Sequence, residues 1–200
     1  MKRIDTYIIE KLHLDKDIKV QKYNYFPKDK YELQSLIDKL IEERGLEANL
    51  NDIDVSNITD MESIFYESKF NGDISYWDVS NVTNMLCMFI NSAFNGDISS
   101  WDVSRVKNMK DMFYGSKFNK DISSWDVSNV TTMESMFYNS KFNQDISKWD
   151  VSNVKNMAYM FKYSEFNKDI SKWNVSKVIY MNDMFKNSPL QNNPPKWYHE

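Results

Sequence analysis

The stretch Phe118-Asn-Lys-Asp-Ile-Ser-Ser-Trp-Asp-Val-Ser-Asn-Val-Thr-Thr-Met-Glu-Ser-Met-Phe137 decides how this chain folds, because it recurs nearly intact every 24 residues. Within it, Trp125 and Val127 alternate with Asp126 and Ser128, the period of a half-buried strand with Trp and Val pointing inward. Ile122 lies out of that phase, which predicts a bend between it and Trp125. Met133, Met136 and Phe137 then fall at i, i+3 and i+4, the spacing of one helical face. Thr132, just before them, can cap such a turn. Each unit therefore reads as a short strand, a helical turn and a return loop through Phe118-Asn119 and its equivalents.

Outward from this unit the columns are regular. Every Trp of the chain, from Trp77 through Trp101, Trp125, Trp149 and Trp173 to Trp197, sits at the 24-residue spacing. Ile74 to Ile170 form a column three residues earlier, and Val79 to Val175 and Val82 to Val178 form two later ones. Met pairs follow, from Met85/Met88 to Met181/Met184, each with a Phe behind it (Phe89 to Phe185). The 12 Met, 12 Phe and 6 Trp are thus a product of the repeat. Asp60, Asn84, Asn108 and Asn156 share the capping place of Thr132, while Tyr180 breaks the rule. The first coil is degenerate, with Leu50 in the Ile column and Ile53 in the Trp column. The last is degenerate too, with Leu190 in a Phe place and Pro194 and Pro195 where Ile and Ser belong. Atypical ends suit a solenoid, whose terminal coils would otherwise expose core. One coil cannot bury enough apolar surface to order its own backbone, so the coils must stack.

The repeat divides the chain into an N-terminal segment over residues 1–46, a stack of about six coils over 47–190 and a capping tail over 191–200. In the first segment, Asp29-Lys-Tyr-Glu32 reads as a capping box. The stripe Leu33, Leu36, Ile37, Leu40 and Ile41, with Gly45 as a stop, predicts an amphipathic helix over 30–44 that covers the first coil. Thr6–Leu14 reads as a strand or short helix, and the run to Tyr25 as extended.

Composition excludes several functions. Two hundred residues with a net charge of −4 suit one or two domains and disfavour nucleic acid as the main partner. The single Cys, Cys87, cannot form an internal disulfide, and with two His it leaves few soft metal ligands. No apolar run reaches the roughly 20 residues of a membrane helix, so no membrane insertion is expected. Four scattered Gly form no phosphate loop. Lys2 and Arg3 are followed by only Tyr7–Ile9 as an apolar stretch and by no lipobox, so as written the chain starts in the cytoplasm. His13 and His199 have no visible partners for catalysis. We expect no enzyme, no cofactor and no metal.

The quoted run, with its FNxDISxWDVSNVxxMxxMF pattern, resembles the repeat of BspA-like leucine-rich-repeat surface proteins, and in particular the branch found in mycoplasma lipoproteins and bacterial surface proteins. The resemblance spans residues 47–190, and Leu50-Asn-Asp-Ile-Asp-Val-Ser-Asn-Ile-Thr59 resembles that family's first coil. It implies a curved, right-handed, leucine-rich-repeat-like solenoid, of α+β class with an N-terminal helical cap, and a role in binding or surface display. A surface or secreted location comes with it, although this chain lacks the export and anchoring signals of the surface members. The family offers no catalytic residues to carry over.

Stacked coils would place Asp78, Asp102, Asp126 and Asp150 in a row about 4.8 Å apart on the strand face, ending at Asn174. A second Asp column precedes each Ile, from Asp73 to Asp169. Such rows could hold a cation or a basic partner, or simply bond local backbone in turns. In-phase with Val, the Trp column reads as core, and the Met pairs as filler. Asn71, Asn95, Asn119, Asn143 and Asn167 read as an asparagine ladder that satisfies loop backbone. Asn57-Ile-Thr and its equivalents match glycosylation acceptors by accident of the repeat. Fixed columns carry packing, so the varying ones are free for specificity. The candidate partner-binding face comprises Asp78, Ser80, Asp102, Ser104, Arg105, Asp126, Ser128, Lys148, Asp150, Ser152, Lys172 and Lys177. Tyr66, Tyr114 and Tyr138 add aromatics behind the Phe column, and Tyr and Arg are the usual interface anchors. The expected function is a non-enzymatic protein–protein interaction module. The alternative is a structural or display component of a cell-surface, phage or secreted assembly that buries one coil end, with self-association left open.

Overall fold

The computed structural model describes residues 22–199. The expectations for Thr6–Leu14, the leader region and His13 lie outside the described residues.

Among the described residues there is one helix, α1, Lys30–Arg44. Asp29 caps it: its Oδ1 accepts from the amides of Tyr31 and Glu32, both at 2.9 Å. Glu32 reaches back to the Lys28 amide at 3.0 Å, so the free donors of the first turn are met from both sides. Gly45 ends the helix at φ 90°, its amide donating to the Ile41 carbonyl. Leu33, Ile37 and Leu40 are buried in the same core as the first coil. Salt bridges fix the helix from both ends: Lys30 Nζ lies 2.9 Å from Asp60 and 3.0 Å from Glu62, and Arg44 lies 3.0 Å from Asp52.

Beyond α1 the chain runs in 24-residue units joined in parallel. Asp60, Asn84, Asn108, Thr132, Asn156 and Tyr180 bridge one another in that order, each to the residue 24 positions on. The pairing lies in the Met-Met-Phe segment, and its backbone accounts are complete. In the coil from Asn84, the amides of Met85, Cys87, Phe89 and Asn91 donate forward to the carbonyls of Asn108, Lys110, Met112 and Tyr114. The carbonyls of Asn84, Leu86, Met88 and Ile90 accept from Met61, Ser63, Phe65 and Glu67 behind. The remaining amides stay within the coil: Met88, Ile90 and Ser92 donate three residues back, to Met85, Cys87 and Phe89. The Leu86 amide donates to Asn84 Oδ1. Odd and even peptide groups thus serve different neighbours, and buried backbone is satisfied without a helix or a pleated strand.

Here the structure departs from the sequence reading. No helical turn forms at Thr132–Phe137, because a helix would consume every carbonyl internally and leave none for the next coil. A chain of tight turns forms instead, and it preserves the i, i+3, i+4 apolar spacing. It requires left-handed backbone at two places per coil: Ser135 has φ 52° and Asn139 φ 50°, with equivalents at Cys87, Asn91, Asp111, Gly115, Tyr159, Tyr163, Asp183 and Asn187. Nor does Asp121–Ser128 form a strand. Its backbone bonds close two turns, Trp125 amide to Ile122 carbonyl and Val130 amide to Val127 carbonyl. The cause is local competition: Asp121 and Asp126 capture the amides of Ser123 and Ser128 at 2.8 and 3.0 Å. The inward alternation of Trp and Val comes from these turns.

The core is a continuous set of aromatic stacks. Phe65, Phe89, Phe113, Phe137, Phe161 and Phe185 lie 5.4–5.9 Å apart between neighbours. Trp77–Trp101 and Trp125–Trp149 ring centroids are 6.5 Å apart and nearly parallel. The Trp residues are core, at most 5% exposed from Trp77 to Trp173, and each also fastens two coils. Trp125 Nε1 donates to the Ile98 carbonyl at 3.0 Å, and Trp77, Trp101, Trp149, Trp173 and Trp197 do the same 27 residues back. Both Met columns are buried from Met85 to Met160.

Candidate functional site

Three polar columns make regular hydrogen bonds within or between the coils. Asn71 Oδ1 accepts from the Asn95 amide at 2.7 Å, and Asn95, Asn119 and Asn143 continue this ladder to Asn119, Asn143 and Asn167 at 2.9 Å. In the pre-Ile Asp column, Asp73, Asp97, Asp121, Asp145 and Asp169 each accept from the amide two residues on, at 2.8–2.9 Å. The third is the row on which a binding face was expected. Asp78, Asp102, Asp126 and Asp150 are exposed, but each commits Oδ1 to the amide of Ser80, Ser104, Ser128 or Ser152 at 3.0–3.1 Å. The Ser104 hydroxyl and amide hold the Asp102 carboxyl below the usual carboxylate range, and Ser152 does the same for Asp150.

The remaining residues of that expected face divide into two sets. Lys148 and Lys172 are exposed. Arg105 and Lys177 instead reach back one coil, to Asn81 Oδ1 at 2.7 Å and Asn153 Oδ1 at 2.6 Å. In the same column, Asn81, Asn129 and Asn153 donate to the carbonyls of Ser56, Ser104 and Ser128, all at 2.8 Å. This column varies in sequence because Asn, Arg and Lys can all bridge to the coil behind. Sequence variation alone does not separate such a brace from a specificity position.

A second surface lies over the turn ladder itself. Tyr114 and Tyr138 rings stack at 4.5 Å and 3°, and Tyr163 meets Tyr138 edge-on at 5.5 Å. Lys162 Nζ sits 5.2 Å from the Tyr159 ring centroid and 5.7 Å from that of Tyr163, and it pairs with Asp183 at 2.6 Å. Beside this row, Lys110 pairs with Glu134 at 2.9 Å, which raises the lysine's pKa. Burial pushes the Asp111 carboxyl up, against the pull of Lys110. The Cys87 thiol is likewise pushed up by burial, which keeps it a thiol rather than a nucleophile. The signal for this surface was present in the sequence as tyrosines behind the Phe column. The continuation of the row was not legible, because the column passes to Lys162 and Tyr163 enters from the next, left-handed position.

Among the described residues, no group of three or more His, Cys, Asp or Glu is placed to hold a metal ion. A surface cleft of about 490 Å³ is lined by Gln144, Asp145, Ser147, Lys168, Asp169 and Lys172. No helix of the described residues is long and apolar enough to cross a membrane.

These features define a repeat-built protein whose fixed columns hold coil to coil, helped by the varying Asn, Arg and Lys braces at positions 81 to 177. The chain belongs to the family described as "Mycoplasma protein of unknown function, DUF285", whose model matches residues 33–141 and again 116–199. No curated protein and no solved structure matches the chain.

Proposed function

We propose that the chain is a non-enzymatic protein–protein interaction module, built as a right-handed, leucine-rich-repeat-like solenoid. What supports the solenoid is the unbroken series of parallel bridges at 24-residue steps. The likeness of its repeat to BspA-like surface proteins supports a binding role displayed at the cell surface. The observation that carries the reading is the Tyr114–Tyr138–Tyr163 row, with Lys162 over its end. Aromatic rings pre-stacked on rigid backbone present apolar area and hydroxyls at little entropic cost, the usual chemistry of interface anchors. The Asp-Ser row adds an exposed, hydrogen-bonded acidic border on another side of the same coils.

The test is a crosslinked pull-down from native cells and their medium. The baits are the wild type, a Tyr114→Ala/Tyr138→Ala variant, and an Asp102→Lys/Asp126→Lys variant, each checked for folding by circular dichroism. Loss of a wild-type prey in the tyrosine variant supports the row as the contact, and loss only in the aspartate variant moves the contact to the Asp-Ser row. Equal capture by all three overturns both faces.

A further inference from the structure

The two ends of the coil stack are chemically opposite. At the trailing end, the amides of Met181, Asp183 and Phe185 find no acceptor among the described residues, although their equivalents Met157, Tyr159 and Phe161 donate to Tyr180, Asn182 and Met184. The Ile179 carbonyl likewise receives nothing, where that of Lys155 accepts from Ile179. Core is open there too: Val175, Val178 and Met181 are only partly buried, while Val151, Val154 and Met157 are 0–1% exposed. Ile179 and Tyr180 stand 68% and 58% exposed. The tail closes the other side of this coil, with Trp197 on Trp173 and Tyr198 on Phe185. Pro189 has no amide to continue the bond that Glu165 makes to Ser140.

At the leading end, the carbonyls of Asp60, Glu62, Ile64 and Tyr66 and the amides of Thr59 and Lys69 have no backbone partners among the described residues. They are the equivalents of Asn84, Leu86, Met88, Ile90, Thr83 and Ala93, which bond the coil behind. Along the chain the trailing edge thus needs one donor, at Ile179, and then offers three, at Met181, Asp183 and Phe185. The fourth amide of the series, Asn187, is taken by Gln191 Oε1. In the same order the leading edge offers one donor, at Thr59, and then four acceptors, of which the first three face the free amides. Charge follows the same polarity. Residues 47–68 carry six Asp or Glu and no Lys or Arg, whereas residues 168–196 carry five Lys and two Asp.

From these matched ends we propose that the trailing edge is a docking site for the leading edge of a second copy of this chain. The contact is heterologous, head to tail, and continues the ladder from one molecule into the next. Two other occupants fit worse. A second trailing edge sets donors against donors. An ordinary strand exposes N–H and C=O alternately along its edge, so its carbonyls could meet the Met181, Asp183 and Phe185 amides but the N–H groups between them would find no acceptor. Helix α1 covers the core of the leading coil, where Ile58, Met61, Ile64 and Phe65 are at most 2% exposed. Its Lys30, Tyr31 and Gln34 face Glu62, Ser63 and Ile64 across a cavity of about 270 Å³, so a docking copy has to displace the first turn of α1. Docking therefore competes with Lys30 for Asp60 and Glu62, and association is weak and salt-sensitive.

The experiment is sedimentation velocity of the full chain across a wide concentration series at low and high salt. The wild type is expected to grow in average mass without stopping at dimer, and to grow less at high salt. Ile179→Lys/Tyr180→Lys blocks the tail and Thr59→Lys/Glu67→Lys blocks the head, all at exposed sites, with folding checked by circular dichroism. Each variant alone is expected to stay monomeric. Mixed, they form a one-to-one dimer that grows no further, since one intact head meets one intact tail. A wild type that stays monomeric or stops at dimer overturns the proposal, as does a tail variant that associates like the wild type. This contact does not involve the tyrosine row, so its failure leaves the binding reading standing.

Discussion

Glu67 separates a turn ladder from a helical turn by the sign of one measurement. It is exposed and sits at φ 52°, in a column whose other members are Asn91, Gly115, Asn139, Tyr163 and Asn187. Holding an L-residue in the left-handed region costs about 1–2 kcal/mol. Glycine removes that cost but adds about 0.4–1 kcal/mol of unfolded-chain entropy. Glu67→Gly should therefore gain roughly 0.5–1 kcal/mol, the difference of these two effects. For a domain of this size that raises Tm by about 1–4 °C. Glu67→Val should lose about 1 kcal/mol or more, since a branched side chain is worst at positive φ. The Glu67 amide bond to Ile90 is backbone and survives both changes. Urea melts of the two variants give the answer. In a helical turn, glycine would instead cost about 1 kcal/mol, so a Glu67→Gly protein less stable than wild type refutes the turn ladder.

Three further outcomes follow from the packing and the charges. Trp125→Phe loses the indole bond to Ile98 but leaves that carbonyl its Trp101 amide, so it should cost only about 1 kcal/mol. Trp125→Ala should cost roughly 3–5 kcal/mol, both read by thermal melting. Gly72→Ala would set a Cβ 2.0 Å from the Ala48 carbonyl oxygen and should cost more than about 2 kcal/mol. At Gly96→Ala the nearest backbone atom is 3.2 Å away, so the loss is smaller, in line with Lys120 in the same column. Stability should fall in acid: Asp97, Asp102 and Asp150 have folded pKa values lowered by their Ser partners. Each stabilises above its unfolded pKa of ~3.9, and that contribution vanishes as pH falls through the lower folded value. Asp102→Asn, which can still accept from Ser104 as Asn174 does from Ser176, should make the acid limb of the melting curve shallower.

What the sequence made legible is what repeats. The Trp, Val, Met and Phe columns marked the core, and Asp29, the Leu33–Ile41 stripe and Gly45 are enough to place α1. The Asn71–Asn167 ladder was readable for the same reason, since an Asn repeated in the same loop position of every coil implies a backbone partner. The conformation within a coil was misleading. Period-2 and i, i+3, i+4 patterns report only which side chains face inward, and a chain of turns can produce both. Two signals pointed to the turns: Asp-x-Ser twice per coil, which captures amides locally, and Asn or Gly at positions 91, 115, 139 and 187, which favours positive φ. Position 105 shows another limit, because its variation does not reveal the brace to Asn81. The polarity of the ends depends on which peptide groups the ladder leaves over, and that needs the backbone.

Amide hydrogen exchange by NMR tests the central claim most directly, because it reads the ladder residue by residue. Met133, Ser135, Phe137 and Asn139 should be strongly protected, and Met157, Tyr159 and Phe161 likewise, since each donates to the coil ahead. In dilute protein, Met181, Asp183 and Phe185 should exchange fast while the rest of the last coil stays folded. Equal protection of the last two coils in dilute solution, or protection of Trp125–Ser128 in place of Met133–Asn139, would contradict the account.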